Sequence, residues 1–165
     1  TGVPAKGILT ARNTLTQRTE GPRCQAETKL LLSGLRPGER AGLVAMQSHF
    51  GTVGIRMEKE GCFLSMCIND GNGGEKEVER IPWMQEEVFL KITFDFADSR
   101  DIAEFFYSAD GKEWFSIGGS LKMLYTLDHF MGYRIGLYAY ASPEAEKPSG
   151  YADFAWFHYK KEENE

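Results

Sequence analysis

The sequence predicts an all-β fold: two antiparallel sheets packed face to face as a β-sandwich or jelly roll. Three observations favour this class. Apolar and polar residues alternate with a period of two along many segments of the 165-residue chain. Turns rich in Gly, Pro, Asn and Asp separate these segments, and no window of a dozen residues shows a convincing helical period. Many short strands at regular spacing are typical of sandwiches and jelly rolls.

Four segments show the alternation clearly enough to assign an inner and an outer face. The segment 24–33 places small and aliphatic residues on one face, and the segment 87–97 alternates large apolar residues with Lys91, Thr93 and Asp95. Such alternation indicates strands that bury one face. The same pattern predicts strands at 133–141 and 151–159. Weaker patterns predict strands at 6–11, 14–19, 41–48, 52–59, 62–69, 76–81, 101–108, 113–117 and 121–125.

Turn chemistry and the absence of a linker predict one domain. Pro37 and Gly38 suit a turn because proline fixes φ and glycine accepts a positive φ. The Asp110-Gly111 pair is typical of a tight type I′ hairpin. We therefore predict a single β-sandwich domain over 1–160 and a frayed tail over 161–165.

Composition excludes two classes of partner. The formal net charge is -5 and Lys and Arg are scattered, whereas phosphate binding needs a basic face. No apolar run approaches the roughly 20 residues that span a bilayer. We therefore expect neither a nucleic-acid nor a membrane partner, and the sequence assigns no localisation. Cys24, Cys62 and Cys67 form no CxxC pair, and we expect buried thiols.

The sequence lacks the motifs that mark common catalytic sites. The three histidines have no zinc-binding spacing, and neither a GxSxG nor a phosphate-binding glycine loop is present. Glycoside hydrolysis needs two carboxyl groups at a defined separation, for which Glu27, Asp95, Glu104 and Asp153 are candidates. Nothing in the sequence marks one of them as a catalytic acid, and a solvated strand face is the favoured explanation. We therefore expect the chain alone to lack catalytic residues.

Aromatic and polar residues that share a strand face are candidates for carbohydrate binding. Sugars stack on aromatic rings while polar side chains bind their hydroxyls, and ligand sites generally combine both features. Tyr138 and Tyr140 share a face with Arg134, Glu27 lies between polar neighbours, and Gln47 ends an apolar strand. An ordinary wet outer face remains the alternative.

Two tryptophans leave a similar choice open. Trp83 and Trp114 lie near turns, where each could be an exposed ring that stacks on a sugar or part of the core.

Four runs of sequence resemble a known family, in the family's own order. They are Leu9–Cys24, Thr28–Leu43, Tyr125–Leu137 and Gly150–Tyr159. Together they resemble the C-terminal concanavalin A-like domain of family 43 glycoside hydrolases, which are β-xylosidases and α-L-arabinofuranosidases. Some members of this domain group are classed as xylan-binding modules, carbohydrate-binding module family 91.

The resemblance implies an architecture and a function. It implies a concanavalin A-like jelly roll that follows a catalytic five-bladed β-propeller, which is not contained in these 165 residues. In related β-xylosidases an early sandwich loop reaches toward the propeller's active site, and the matching stretch here is 17–23. Because relatives place Phe in that loop and this chain does not, the resemblance leaves polar contacts from Gln17 or Arg18 as the expectation.

A structural calcium ion is an additional candidate, although no cofactor is required. Sandwiches of this broad type often hold Ca²⁺ through carboxylates and carbonyl oxygens. Asp153 and Glu20 are the residues we would assign to it. A hydrogen-bonded Asp153 without metal is an equal alternative.

Three functions therefore remain at this stage. The leading one is an accessory module that binds xylan or arabinoxylan and shapes the substrate entrance of a propeller. The second is a purely structural domain that packs on the propeller through an exposed apolar patch. The third, a free-standing enzyme, is disfavoured because no catalytic carboxylate pair is marked.

Overall fold

A computed structural model describes residues 3–69, 74–125, 132–146 and 148–162, and within these ranges the chain forms eleven strands. They are β1 (Thr14–Arg18), β2 (Arg23–Leu31), β3 (Glu39–Met46), β4 (Gly51–Met57), β5 (Cys62–Asn69), β6 (Glu75–Pro82), β7 (Glu87–Asp95), β8 (Ile102–Ser108), β9 (Phe115–Lys122), β10 (Arg134–Ala141) and β11 (Asp153–Lys161).

The strands form two sheets whose neighbours are all antiparallel. Sheet A has the order β1-β10-β3-β4-β5-β6, and sheet B has the order β11-β2-β7-β8-β9. This arrangement confirms the predicted all-β, two-sheet antiparallel sandwich.

The main core lies between the sheets and follows the predicted period of two. Val88, Leu90, Ile92 and Phe94 of β7 are all buried, and alternate residues of β2 pack with them. Alternate residues of β3, β4 and β10 close the core from sheet A. Burial of one such large side chain stabilises the fold by roughly 1.5–3 kcal/mol.

A second apolar cluster lies on the outer face of sheet A. The predicted strand at 6–11 is wrong, because this segment crosses the sheet and forms a 3-10 turn at Ile8–Thr10. Ile8 packs with Val44, Phe50, Tyr138 and Tyr140, and its backbone N–H donates to Glu75 Oε1 at 3.0 Å. The amino-terminal segment therefore buries part of a face that the sequence pattern predicts to be wet.

The predicted strands at 113–117 and 121–125 are one strand, β9. Gly118 and Gly119 both have positive φ, and the β8–β9 register shifts between Glu104 and Phe106. Residues 109–114 connect β8 to β9, so this turn is longer than a two-residue type I′ hairpin. Asp110 Oδ1 accepts hydrogen bonds from the N–H groups of Lys112 and Glu113 within it.

The last strand differs from its predicted pattern. A register shift between Phe154 and Trp156 places Phe154, Phe157 and Tyr159 against the core. The predicted frayed tail is also wrong at its start, because Lys161 pairs with Cys24 and the Glu162 N–H donates to the Arg23 carbonyl. Residues 163–165 lie outside the described ranges.

The cysteines and one tryptophan add to the core. All three cysteines are free thiols; Cys24 and Cys67 are buried, and Cys62 is half-buried. Burial raises the pKa of the Cys62 thiol to about 11. Trp83 is buried, and its indole N–H donates to the Glu87 carbonyl at 3.0 Å. In the described ranges, the chain contains no helix that could cross a membrane.

Candidate functional site

The outer face of sheet B carries aromatic and charged side chains in adjacent rows. The register places Glu27 of β2 opposite His158 of β11 on one side and opposite Lys91 of β7 on the other. Phe106 of β8 continues this row beside Lys91. The neighbouring row contains Trp156, Lys29 and Phe89. The polar faces of β2 and β7 therefore join in one surface. We call this surface the platform, and its two rows are Glu27, His158, Lys91 and Phe106, and Trp156, Lys29 and Phe89.

Aromatic rings stand at both sides of the platform. Trp156 and His158 stack with ring centroids 4.4 Å apart and planes at 19°. Phe89 also contacts Trp156, with ring centroids 6.1 Å apart and planes tilted by 45°. Toward the opposite edge, Lys91 Nζ lies 3.9 Å from the Trp114 ring centroid, at a distance typical of a cation–π contact.

Hydrogen-bonding groups lie between these rings. Lys91 Nζ is 3.7 Å from Glu27 Oε1, which also accepts a hydrogen bond from the Gln25 amide at 3.1 Å. Burial lowers the pKa of Lys91, and the negative charge of Glu27 partly opposes this effect. The platform therefore presents an ammonium donor and a carboxylate acceptor next to apolar ring surface.

A polar pocket of about 290 Å³ adjoins the platform at the Arg23 end of β2. Gln25, Thr93, Glu104 and Lys160 contribute to its walls, together with Asp95. Burial acts to raise the pKa of Asp95, but hydrogen bonds from the Ala97 N–H and from Arg23 hold it below the ordinary value. Asp95 is therefore ionised, and it accepts hydrogen bonds instead of supplying a proton.

Rings with adjacent donors and acceptors are chemically suited to a sugar. The C–H faces of a pyranose are apolar, whereas its hydroxyl groups both donate and accept hydrogen bonds. Sites that combine aromatic lining with a few placed polar groups are typical of small-ligand binding. The platform and its pocket supply both features on one accessible face.

Tyr138 and Tyr140 lie on the opposite sheet and are buried. They are only 5% and 2% exposed under the amino-terminal segment, which contradicts a stacking role on an accessible surface. The Tyr140 hydroxyl donates to Glu75 Oε1 at 2.6 Å, and Arg40 Nη1 donates to Glu75 Oε2 at 3.0 Å. The period of two shows only which residues share a strand face. It does not show that the amino-terminal segment covers the outer face of sheet A.

The remaining predicted binding residues lie at one end of sheet A. Arg18 pairs with Arg134 across β1 and β10, and Arg134 Nη1 donates to Thr16 Oγ1 at 3.3 Å. Gln17 is exposed on the other face of β1, and Gln47 is buried just after β3. Of the predicted set, only Glu27 lies on the platform, so the structure does not gather these residues into one site.

The two residues assigned to calcium do not share a site. Asp153 begins β11, whereas Glu20 Oε2 accepts a hydrogen bond from Lys161 Nζ at the other end of that strand, at 3.1 Å. Eight residue steps along the strand separate these ends by roughly 25 Å at about 3.3 Å per residue. Among the described residues, no group of three His, Cys, Asp or Glu side chains could hold a metal ion.

Sequence reasoning missed the rings that define the platform. Trp156 and His158 are two residues apart and therefore lie on the same face of β11. The bulge after Phe154 decides whether that face is the inner or the outer one. A signal was available in the spacing of Trp156, His158 and Lys160, which places all three on one side of a strand. The register then aligns them with the polar faces of β2 and β7.

Comparison with known proteins shows extended similarity over this whole fold. The family model described as the β-xylosidase C-terminal concanavalin A-like domain matches residues 2–160. The solved structure of a bifunctional GH43-CE protein from Bacteroides eggerthii is 38% identical with a TM-score of 0.91, and the match covers 99% of this chain and 21% of that one.

Two further relatives are also much longer than this chain. A xylan β-1,4-xylosidase structure from Bacillus halodurans is 22% identical with a TM-score of 0.77, over 97% of this chain and 32% of that one. A protein from Xylanibacter ruminicola, named as a candidate β-xylosidase, is 28% identical over 81% of this chain and 23% of its own length. The chain thus spans a third or less of these relatives, and it belongs to the family of β-xylosidase C-terminal concanavalin A-like domains.

Proposed function

We propose that this chain is the accessory module of a plant-polysaccharide glycoside hydrolase and that it binds xylan or arabinoxylan on the platform. The observation that carries the proposal is the stacked Trp156–His158 pair beside the Glu27–Lys91 ion pair. Ring surface and charged hydrogen-bonding groups within adjacent rows match the two kinds of surface that a xylose unit presents. Tethering of such a module to a catalytic domain raises the effective concentration of substrate.

The names of the relatives support the class of ligand. The Bacillus halodurans protein is named as a xylan β-1,4-xylosidase, and the family model describes a domain of β-xylosidases. The parent enzyme would be a β-xylosidase or α-L-arabinofuranosidase, with this sandwich following the catalytic β-propeller. Loop 17–23 would then contribute to the substrate entrance through Gln17 or Arg18.

The proposal includes the absence of catalysis by the chain alone. A general acid in glycoside hydrolysis needs a carboxyl group that is protonated near neutral pH. The lowered pKa of Asp95 is the opposite of this requirement, and Glu27 is engaged by Lys91 and Gln25. These contacts support binding over bond cleavage.

Native affinity electrophoresis in arabinoxylan gels tests the binding function. We expect retardation of the wild-type domain and loss of retardation for Trp156→Ala, because the substitution removes one ring of the stacked pair. Phe115→Ala is the matched control, since Phe115 is an exposed ring outside the platform rows. Equal mobility of the wild-type domain with and without glycan would contradict the proposal.

A structural role is the second candidate, and one observation favours it. Leu15 is 75% exposed and Tyr151 is 59% exposed, and both line an open apolar cleft with Leu137 and Phe154 beside the edge strand β1. Such a cleft suits contact with another domain. This role predicts that Leu15→Asp reduces hydrophobic-dye binding by the isolated domain without affecting arabinoxylan retardation. Unchanged dye binding would count against it.

A further inference from the structure

A second cavity, of about 810 Å³, lies at the end of sheet A where β3 begins and β4 and β10 end. Arg40 and Arg56 of the sheet's outer face form one wall, and the turn after β4 and the loop after β10 form the others. This cavity and the platform lie on opposite sheets. It contains none of the residues that the sequence predicts as binding residues.

Buried hydrogen bonds hold the walls of this cavity in place. The Glu39 carboxylate is fully buried and accepts hydrogen bonds from the N–H groups of Arg36 and Gly150, each at 2.8 Å. The Gly38 N–H donates to the Met57 carbonyl, and the Ser142 N–H donates to the Gly38 carbonyl, both at 2.7 Å. The loops around the cavity are therefore tied together, and the cavity is formed before any ligand arrives.

The charges of the described lining residues balance. Within the described ranges, four cationic side chains and four carboxylates line the cavity, namely Arg36, Arg40, Arg56, Lys59, Glu58, Glu60, Glu144 and Glu146. An anion or a cation would meet like charges as well as opposite ones. A neutral ligand with many hydroxyl groups can instead donate to the carboxylates and accept from the guanidinium groups.

The Arg56 guanidinium in this wall is held by neighbouring carboxylates. Arg56 Nη1 donates to Glu77, whereas Arg56 Nε is buried and makes no hydrogen bond within the described residues. The Glu58 carboxylate oxygen lies 3.7 Å from Nε, beyond hydrogen-bond distance. Nε itself is inaccessible to a ligand, and the Arg56 side chain, which is 20% exposed, reaches the cavity through its other atoms.

We propose that this cavity is a second sugar site, which binds a single terminal or branching residue of a neutral glycan. The cavity combines polar and apolar surface, and no aromatic ring belongs to its described lining, so it does not bind a long chain by stacking. The inference rests on the proposed function only for the class of ligand. Because the two sites lie on the outer faces of opposite sheets, a short oligosaccharide occupies one of them at a time.

The test is an amide chemical-shift titration of the whole chain with xylobiose. We expect two separate groups of shifts: one around Gly38, Met57 and Ser142, and one around the platform. Arg56→Gln weakens xylobiose binding at the cavity by at least about tenfold, equivalent to one charge-assisted hydrogen bond. It leaves the affinity of the platform unchanged. Because Arg56→Gln could loosen β4, Lys59→Ala in the exposed turn is a second variant with the same expected direction.

The possible results separate this inference from the proposed function. Lys76→Ala is the charge control, since Lys76 is exposed outside both sites.

Shifts confined to the platform overturn the second site and leave the proposed function standing. Shifts confined to the cavity support the second site and overturn binding at the platform. Equal affinity of the wild-type chain and both variants at the cavity also overturns the inference.

Discussion

Glu39 shows how one buried side chain joins distant loops. Its carboxylate accepts hydrogen bonds from the Arg36 and Gly150 backbone N–H groups, so it ties the turn before β3 to the segment before β11. We predict that Glu39→Ala lowers the free energy of unfolding by about 3 kcal/mol, because two backbone N–H groups lose a buried, charged acceptor. Chemical denaturation measures this change.

A neighbouring glutamate provides the control for this prediction. Glu60 is exposed in the turn after β4, and Glu60→Ala should change stability by less than about 0.5 kcal/mol. Equal stability of the two variants would refute the role assigned to Glu39.

Lys91 gives the platform a specific pH dependence. Burial lowers its pKa and Glu27 raises it, so we predict that Glu27→Gln lowers the pKa of Lys91 further. Since the folded pKa lies below the unfolded one, the unfolded chain binds more protons between the two values. The free energy of unfolding contributed by Lys91 therefore rises with pH across that window.

A side-chain NMR titration of Lys91 checks this shift. Glu87→Gln is the matched control, because Glu87 pairs with Lys29 at 2.7 Å instead of with Lys91. A pKa of Lys91 that stays constant or rises in Glu27→Gln would show that the ion pair does not operate as described.

At the scale of elements, β9 depends on two glycines that differ in their surroundings. Both have positive φ, but a Cβ on Gly118 would lie 2.6 Å from Met66 Sδ, whereas a Cβ on Gly119 would meet nothing within 4 Å. We predict that Gly119→Ala costs about 1 kcal/mol from backbone strain alone. Gly118→Ala should cost roughly 2–4 kcal/mol, because overpacking adds to that strain. Equal losses in thermal denaturation would contradict this distinction.

The amino-terminal segment is a cover whose attachment can be measured. Ile8 is 1% exposed against Tyr138 and Tyr140, whereas its neighbour Leu9 is 41% exposed. We predict that Ile8→Ala destabilises the fold by about 2 kcal/mol and that Leu9→Ala has almost no effect. Hydrogen exchange should show faster exchange at the Ile8 amide in the first variant. Equal exchange in both variants would mean that the segment is not held by this side chain.

The inner faces of the strands were predictable, whereas the outer faces were only partly so. Val88, Leu90, Ile92 and Phe94 follow from local alternation, because each strand buries one side whatever its neighbours are. The burial of Tyr138 depends on a segment about 130 residues earlier in the chain, which a local pattern does not contain. The platform likewise depends on strand register and on the β11 bulge, which no period-two pattern specifies.

For the whole molecule, charge and shape agree with a neutral ligand. The formal net charge is -5, and many charges on the sheet faces are paired, such as Lys29 with Glu87 and Arg23 with Asp95. Salt screens charge–charge attraction, but it has little effect on stacking and on hydrogen bonds to hydroxyl groups. Binding to arabinoxylan should therefore change little with ionic strength.

Calorimetric titration of the wild-type chain with xylohexaose, with reducing sugar assayed in the same samples, tests the central claim most directly. The account predicts a saturable binding heat that Trp156→Ala diminishes and no increase in reducing sugar over time. Release of reducing sugar by the pure chain, or a wild-type titration without saturable heat, would contradict it.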